Sequence, residues 1–223
     1  KIILFANAGT CSVKGELNAS NGGKIQLTGD KVSIEKDSKI YASQGHVIAS
    51  GREETYFNGL IEAKKGSVEI GSEGKLTFMG TVNTEIGELF LKGEDLKIGQ
   101  GRSSMDVGVL EKNLKCNNVT LSSGQITVDN GMKLTWASPS TLKMISNNGG
   151  IVFASGFGTT VFENTYIGAP NHWKAIDLIA KSCETNSHIG IDLKKIQLAS
   201  TEGEIHLEGE GYQKGKELGY GIR

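Results

Sequence analysis

Ile40-Tyr-Ala-Ser43, Ile61-Glu-Ala-Lys64 and Val82-Asn-Thr-Glu85 are one tetrapeptide pattern written three times, each copy 21 residues after the last. A second series, Lys24-Ile-Gln-Leu27, His46-Val-Ile-Ala49, Ser67-Val-Glu-Ile70 and Glu88-Leu-Phe-Leu91, runs between them at the same interval to within a residue. A third follows as Val32-Ser-Ile34, Leu76-Thr-Phe78 and Leu96-Lys-Ile98, with an irregular member within Thr55–Asn58 where either Tyr56 or Phe57 points inward. Each unit alternates apolar and polar residues, the period of a half-buried strand. Three short strands per 21 residues, joined by Gly, Asp, Asn and Ser corners, predict an all-β fold, a right-handed parallel β-helix (solenoid) with about 21 residues per coil. A coil cannot bury its apolar face alone, so stability would come from stacking. The predicted inward ladders are Ile25/Val47/Val68/Leu89, Leu27/Ala49/Ile70/Leu91, and Ile40/Ile61/Val82 with Ala42/Ala63/Thr84.

Working outward, residues 1–16 hold one or two strands ahead of the repeat. After Gly99 the rhythm breaks through Arg102–Asn117, which reads as loop or irregular coil. Alternation resumes at Asn118-Val-Thr-Leu121, Gln125-Ile-Thr-Val128, Lys133-Leu-Thr-Trp136, Thr141-Leu-Lys-Met144, Ile151-Val-Phe-Ala154 and Thr159-Thr-Val-Phe162. Asp129-Asn-Gly131 supplies a corner and is also compatible with an antiparallel hairpin. Gly168–Lys174, with Pro170 and Trp173, reads as a surface loop. Residues 1–223 are thus expected to form a single β-helix segment of a longer protein, with loop excursions near 100–117 and 168–174.

Composition narrows the functions. The chain has 31 Gly and 2 Pro among 223 residues, placed at strand corners without a Gly-X-Y period, which excludes collagen. With 24 basic and 25 acidic residues the net charge is -1, so there is no electrostatic footprint for nucleic acid or an anionic membrane. No apolar run reaches the roughly 18 residues of a membrane helix, so no membrane insertion by this segment is expected. Cys11, Cys116 and Cys183 match no zinc or redox spacing, and their pairing is left open. Ala8-Gly-Thr-Cys11 lacks the small residue before Cys11 and the upstream apolar core of a lipid-attachment box.

The ending of the chain, Gly190-Ile-x-Leu193, Ile196, Ser200, Gly203-Glu-Ile-His-Leu-Glu-Gly-Glu-Gly211 and Gly219-Tyr-Gly-Ile222, resembles the repeats of filamentous haemagglutinin-like exoproteins. Asn21-Gly-Gly-Lys-Ile-Gln-Leu-Thr-Gly-Asp-Lys-Val-Ser-Ile34 with Lys39-Ile-Tyr-Ala-Ser43 is similar to the other repeat type of those proteins. The resemblance spans about two thirds of the chain. It implies a bacterial protein, secreted or displayed at the cell surface by two-partner secretion or as an autotransporter passenger, exported through an outer-membrane secretion pore. The implied partners are host-cell, bacterial-cell or glycan surface ligands. The family's amino-terminal secretion domain has no counterpart here, so the resemblance implies an internal shaft fragment. Non-catalytic attachment as part of an adhesin filament is the expected function. The alternatives are a β-helical polysaccharide lyase or hydrolase and the stalk of a contact-dependent toxin delivery protein.

The residues weigh against catalysis. Outward columns read Gln26, Ile48, Glu69, Phe90 and Asn18, Tyr41, Glu62, Asn83, without the adjacent acids of two-carboxylate glycoside cleavage. Asp106, Glu111 and Asp177 lie outside the phased repeat and stay open as acids. His46, His172, His188 and His206 have no metal-ligand or triad spacing and read as exposed. Gly99-Gln-Gly101 and Gly156-Phe-Gly158 precede no helix and read as corners rather than nucleotide loops. No catalytic residue, cofactor or metal is therefore expected. Tyr41 and Phe90, joined by Trp136, form a candidate contact patch for carbohydrate or protein.

Overall fold

The computed structural model describes residues 1–19, 22–101, 104–181, 189–211 and 220–222. Every strand pair among them is parallel. The pairings read from the repeat are present: Ile25 lies beside Val47, Val47 beside Val68, and Val68 beside Leu89. Ile40, Ile61 and Val82 stand in line in a separate sheet of four short strands, Glu16–Asn18, Lys39–Tyr41, Leu60–Glu62 and Thr81–Asn83. All of these ladder side chains, with Leu27, Ala49, Ile70, Ala42, Ala63 and Thr84, are buried. In the irregular member of the third series it is Phe57 that points inward, stacked 5.1 Å from Phe78 between ring centroids, while Tyr56 is half-buried.

The fold class expected from the repeat is corrected. His46–Phe57, Ser67–Ser72, Gly87–Lys92, Asn117–Val128, Asp95–Gly99, Met105–Asp106 and Lys75–Phe78 pair in that order, and the last pairs back with the first. Seven parallel strands thus close on themselves as a barrel-like ring. It is extended on one side by Lys24–Ile34 and on the other by Leu142–Phe153, Lys174–Lys181 and Glu204–Glu210. A three-stranded sheet of Lys133–Trp136, Thr160–Asn164 and Ile196–Ser200 is added separately. The result is a mixed strand-rich fold and not a right-handed β-helix of equal coils. Beyond the repeat the registers Leu89↔Val119, Val119↔Leu142, Leu142↔Ile176 and Ile176↔Ile205 advance by 30, 23, 34 and 29 residues instead of 21.

One corner of the repeat has a visible physical cause. Gln44, Lys65 and Ile86 all adopt a left-handed backbone, with φ of 58°, 57° and 67°, and each is followed by a glycine. A Cβ on Gly45 or Gly66 would lie 1.9 or 2.1 Å from the carbonyl oxygen of the glycine one repeat earlier, and one on Gly87 2.5 Å. Successive turns pack backbone on backbone here, and only glycine permits that.

The stretch expected to be irregular around 100–117 contains a helix, Val107–Leu114. Asp106 caps it, its Oδ1 accepting from the Gly108 amide at 2.8 Å. Leu110, Asn113 and Leu114 face inward. The helix stands where the four-stranded sheet would need a fifth strand. Asn113 Oδ1 accepts from the Val82 amide and its Nδ2 donates to the Gly80 carbonyl, at 2.9 and 3.2 Å. Asn117 repeats the arrangement one turn on, with the Thr84 amide and the Val82 carbonyl at 2.9 and 2.8 Å. Two buried side-chain amides thereby answer the edge that a strand would have paired. The Leu114 carbonyl, at the far end, accepts from Ser138 Oγ at 2.7 Å.

The loop expected at 168–174 spans 165–173, Lys174 being the first residue of Lys174–Lys181. The hairpin reading of Asp129-Asn-Gly131 does not hold, because the strands flanking it belong to different sheets.

Candidate functional site

Outward side chains of the large sheet fall into columns, since alternate residues of a strand face the same way and neighbouring strands stand about 4.8 Å apart. The column that begins Gln26, Ile48, Glu69, Phe90 continues through Thr120, Lys143, Asp177 and His206. Two adjoining hollows open along it and share Thr120. One, of about 390 Å³, lies between Phe90, Glu69, Lys92, Ser122 and Asn147. The other, of about 260 Å³, lies between Glu88, Asn118, Thr141, Lys143, Lys174 and Asp177. Together they form a shallow groove running across the strands.

The far end of the groove is electrostatically closed. Asp177 is buried, 5 % exposed, and its Oδ1 pairs with His206 Nδ1 at 2.6 Å. Lys143 Nζ lies 3.3 Å from Oδ2 and Lys174 Nζ 3.9 Å from Oδ1. Burial alone pushes the Asp177 carboxyl upward, but the hydrogen bonds from His206 and Lys143 and the charges of Lys143 and Lys174 outweigh it and hold it below the usual carboxylate range. Side walls are fixed in the same way. Asn118 Nδ2 donates to Glu88 Oε1 at 3.2 Å, and its Oδ1 accepts from the Thr141 amide at 3.0 Å. Thr141 Oγ1 donates to the Lys174 carbonyl at 2.7 Å and accepts from Trp173 Nε1 at 3.2 Å.

The near end differs. Phe90 is 41 % exposed, and among the described residues its ring stacks on no other. The side chains of Glu69, Lys92, Thr120, Ser122 and Asn147 have no hydrogen bond or ion pair within the described chain.

Of the open acids, the structure brings only Asp177 to the groove. Asp106 is the helix cap and Glu111 pairs with Lys115 at 3.7 Å along the same helix. His46 contacts Ser67 Oγ at 2.6 Å, and His172 contacts Glu204 at 3.0 Å, both on the surface. His206, expected to be exposed, is half-buried against Asp177, while His188 and Cys183 lie outside the described residues. Cys11 and Cys116 are free thiols, and burial pushes the Cys11 thiol up. Among the described residues no group of three or more His, Cys, Asp or Glu could hold a metal ion. No helix of the described residues is long and apolar enough to cross a membrane. Gly156 and Gly158 are corners, as expected: Gly158 donates its amide to Asn130 Oδ1 and accepts from Asn130 Nδ2, at 2.9 and 2.8 Å.

The contact patch needs one correction. Phe90 faces outward and Tyr41 is half-buried, but Trp136 is 1 % exposed and donates Nε1 to the Ser140 carbonyl at 3.1 Å. It belongs to the three-stranded sheet, whose inward phase the repeat did not determine. Sequence reasoning also missed Thr120, Lys143 and His206 as continuations of the Phe90 column. The only available signal was the alternation Val119-Thr-Leu121, Leu142-Lys-Met144 and Ile176-Asp-Leu178.

No protein-family model matches the chain, nor does any curated protein or solved structure. Nothing identifies a haemagglutinin-like exoprotein. The parallel β-helix shaft that the resemblance implied is corrected, because the strands close into a ring.

Proposed function

We propose that the chain is a non-catalytic attachment scaffold that presents its outward groove, and the loops around it, to a cell or glycan surface. The observation that carries this reading is the state of Asp177. A general acid for glycoside cleavage needs a carboxyl group whose pKa is raised, standing within about 5–9.5 Å of a second one. Asp177 is the buried carboxylate of the groove. It is held below its ordinary range and engaged by His206, Lys143 and Lys174. The other acid of that hollow, Glu88, sits three strands away, roughly 14 Å along the sheet at the usual strand spacing. An attachment surface needs neither a free acid nor a nucleophile, only fixed side chains facing solvent.

Incubating the purified chain with a panel of neutral and acidic polysaccharides, with and without calcium, tests the reading. Saturable retention on cells or on immobilised glycan without release of reducing ends or unsaturated products is expected. Product release abolished by Asp177→Asn would replace attachment by cleavage.

A further inference from the structure

We infer that the groove running from Glu69 and Phe90 to Asp177 is a binding site for a neutral glycan chain, with Phe90 as its stacking platform; this rests on the attachment reading and names its ligand class. The Phe90 ring is the apolar surface in a row otherwise set with Glu69, Thr120, Lys143 and Asp177. It lies well inside the sheet, with strands paired on both sides, so its exposure is not that of a sheet end. The C–H face of a pyranose ring is apolar and slightly positive, which suits the negative face of an aromatic ring. Around the ring stand Glu69 as an acceptor, Lys92 as a donor, and Thr120, Ser122 and Asn147 as both, none of them committed within the described chain. A hydroxyl, which donates and accepts, is the group this mixture satisfies.

Charge decides between neutral and acidic ligands. Beside Phe90 the two uncommitted charges, Glu69 and Lys92, are opposite. At the other end the two cations Lys143 and Lys174 are matched by the two carboxylates of the same hollow, Asp177, which both approach, and Glu88. A uronate or sulfate would find no surplus cation, whereas a neutral sugar leaves every pair intact. Length agrees as well. Glu69 to Asp177 spans four strand spacings, roughly 19 Å, which accommodates a chain of several sugar units laid across the strands. The groove walls are tied by the Asn118–Glu88 and Thr141–Lys174 hydrogen bonds, so binding would not first have to order them.

Isothermal titration of the full chain with cellohexaose, mannohexaose and hexagalacturonate, each at millimolar concentration, tests the inference. Binding of at least one neutral hexasaccharide, stronger than that of hexagalacturonate, is expected. Phe90→Ala should weaken it tenfold or more, Phe90→Trp should retain it, and Phe157→Ala, at an exposed aromatic away from the groove, should not change it. Thermal melts of the variants should coincide with that of the parent, since Phe90 is outside the core. Binding by hexagalacturonate alone, neutral binding indifferent to Phe90→Ala, or no binding by any probe would each overturn the inference. The attachment reading is read separately: cell retention that persists in Phe90→Ala leaves it standing while the groove fails, and product release from any probe removes it.

Discussion

Replacing Asn117 by Ala should destabilise the chain far more than loss of one polar side chain usually does, because this amide stands in for part of a β-strand. Asn117 is fully buried. Its Nδ2 donates to the Val82 carbonyl and to the Asn113 carbonyl, at 2.8 and 2.7 Å, and its Oδ1 accepts from the Thr84 amide and the Thr84 hydroxyl, at 2.9 and 2.8 Å. In Asn117→Ala the hydroxyl can turn to the Cys116 carbonyl, its second partner at 3.3 Å. The Thr84 N–H and the Val82 C=O cannot turn, and a buried backbone group left unpaired costs about 1–3 kcal/mol. Two such groups give about 2–6 kcal/mol, or a fall in Tm of roughly 4–24 °C for a chain of this size. Urea unfolding followed by circular dichroism measures it, with Asn147→Ala, an exposed asparagine, as the control. A shift for Asn117→Ala below about 0.5 kcal/mol, the range of ordinary surface changes, would refute the idea that these amides replace a strand.

Four further outcomes are expected. Ile70→Asp or Leu91→Asp buries an unpaired charge and should melt the ladder by several kcal/mol, whereas Glu69→Ala should stay within about 0.5 kcal/mol; equal thermal shifts would show the facing to be wrong. Gly66→Ala drives a Cβ to 2.1 Å from the Gly45 carbonyl oxygen, so a sharp loss in Tm is expected, and an unchanged Tm would contradict the backbone stacking at that corner. Because the Asp177 carboxyl is lowered in the folded chain, its stabilising contribution is present above the unfolded carboxylate value of about 3.9 and is lost as pH falls through the lower folded value. The stability gap between the parent and Asp177→Asn should therefore be open at pH 5 and shrink below about pH 4 in urea titrations; a gap that widens with acid would reverse the assignment. In a Cys183→Ser background, Cys116 should react with a thiol reagent ahead of Cys11, whose thiol is buried and pushed up, and the reverse order would contradict the placement of both.

The local pairings were legible because residues 24–98 write the same apolar alternation at a constant interval, so Ile25, Val47, Val68 and Leu89 had to meet once parallel pairing was assumed. The global closure was not. It depends on Met105–Asp106, two residues wedged between Lys75–Phe78 and Asp95–Gly99, which carry no periodicity of their own. The helix was hidden for a related reason. Eight residues give barely two turns of pattern, and its buried face mixes Leu110 and Leu114 with Asn113, a polar residue buried for its amide rather than its hydrophobicity. The groove was half legible. Glu69 and Phe90 were read as neighbours, but Thr120, Lys143 and Asp177 join them through steps of 30, 23 and 34 residues that only the folded chain reveals. Trp136 was misplaced because it belongs to a sheet with a different phase.

The most direct measurement of the central claim is an amide NMR titration of the full chain with the tighter-binding neutral hexasaccharide. The groove predicts progressive, saturable shifts centred on Phe90, Lys92, Thr120 and Ser122 and tailing toward Lys143, with the helix Val107–Leu114 and its Asn113 contacts unmoved. Shifts gathered on another face, or a spectrum that does not change at saturating sugar, would contradict it.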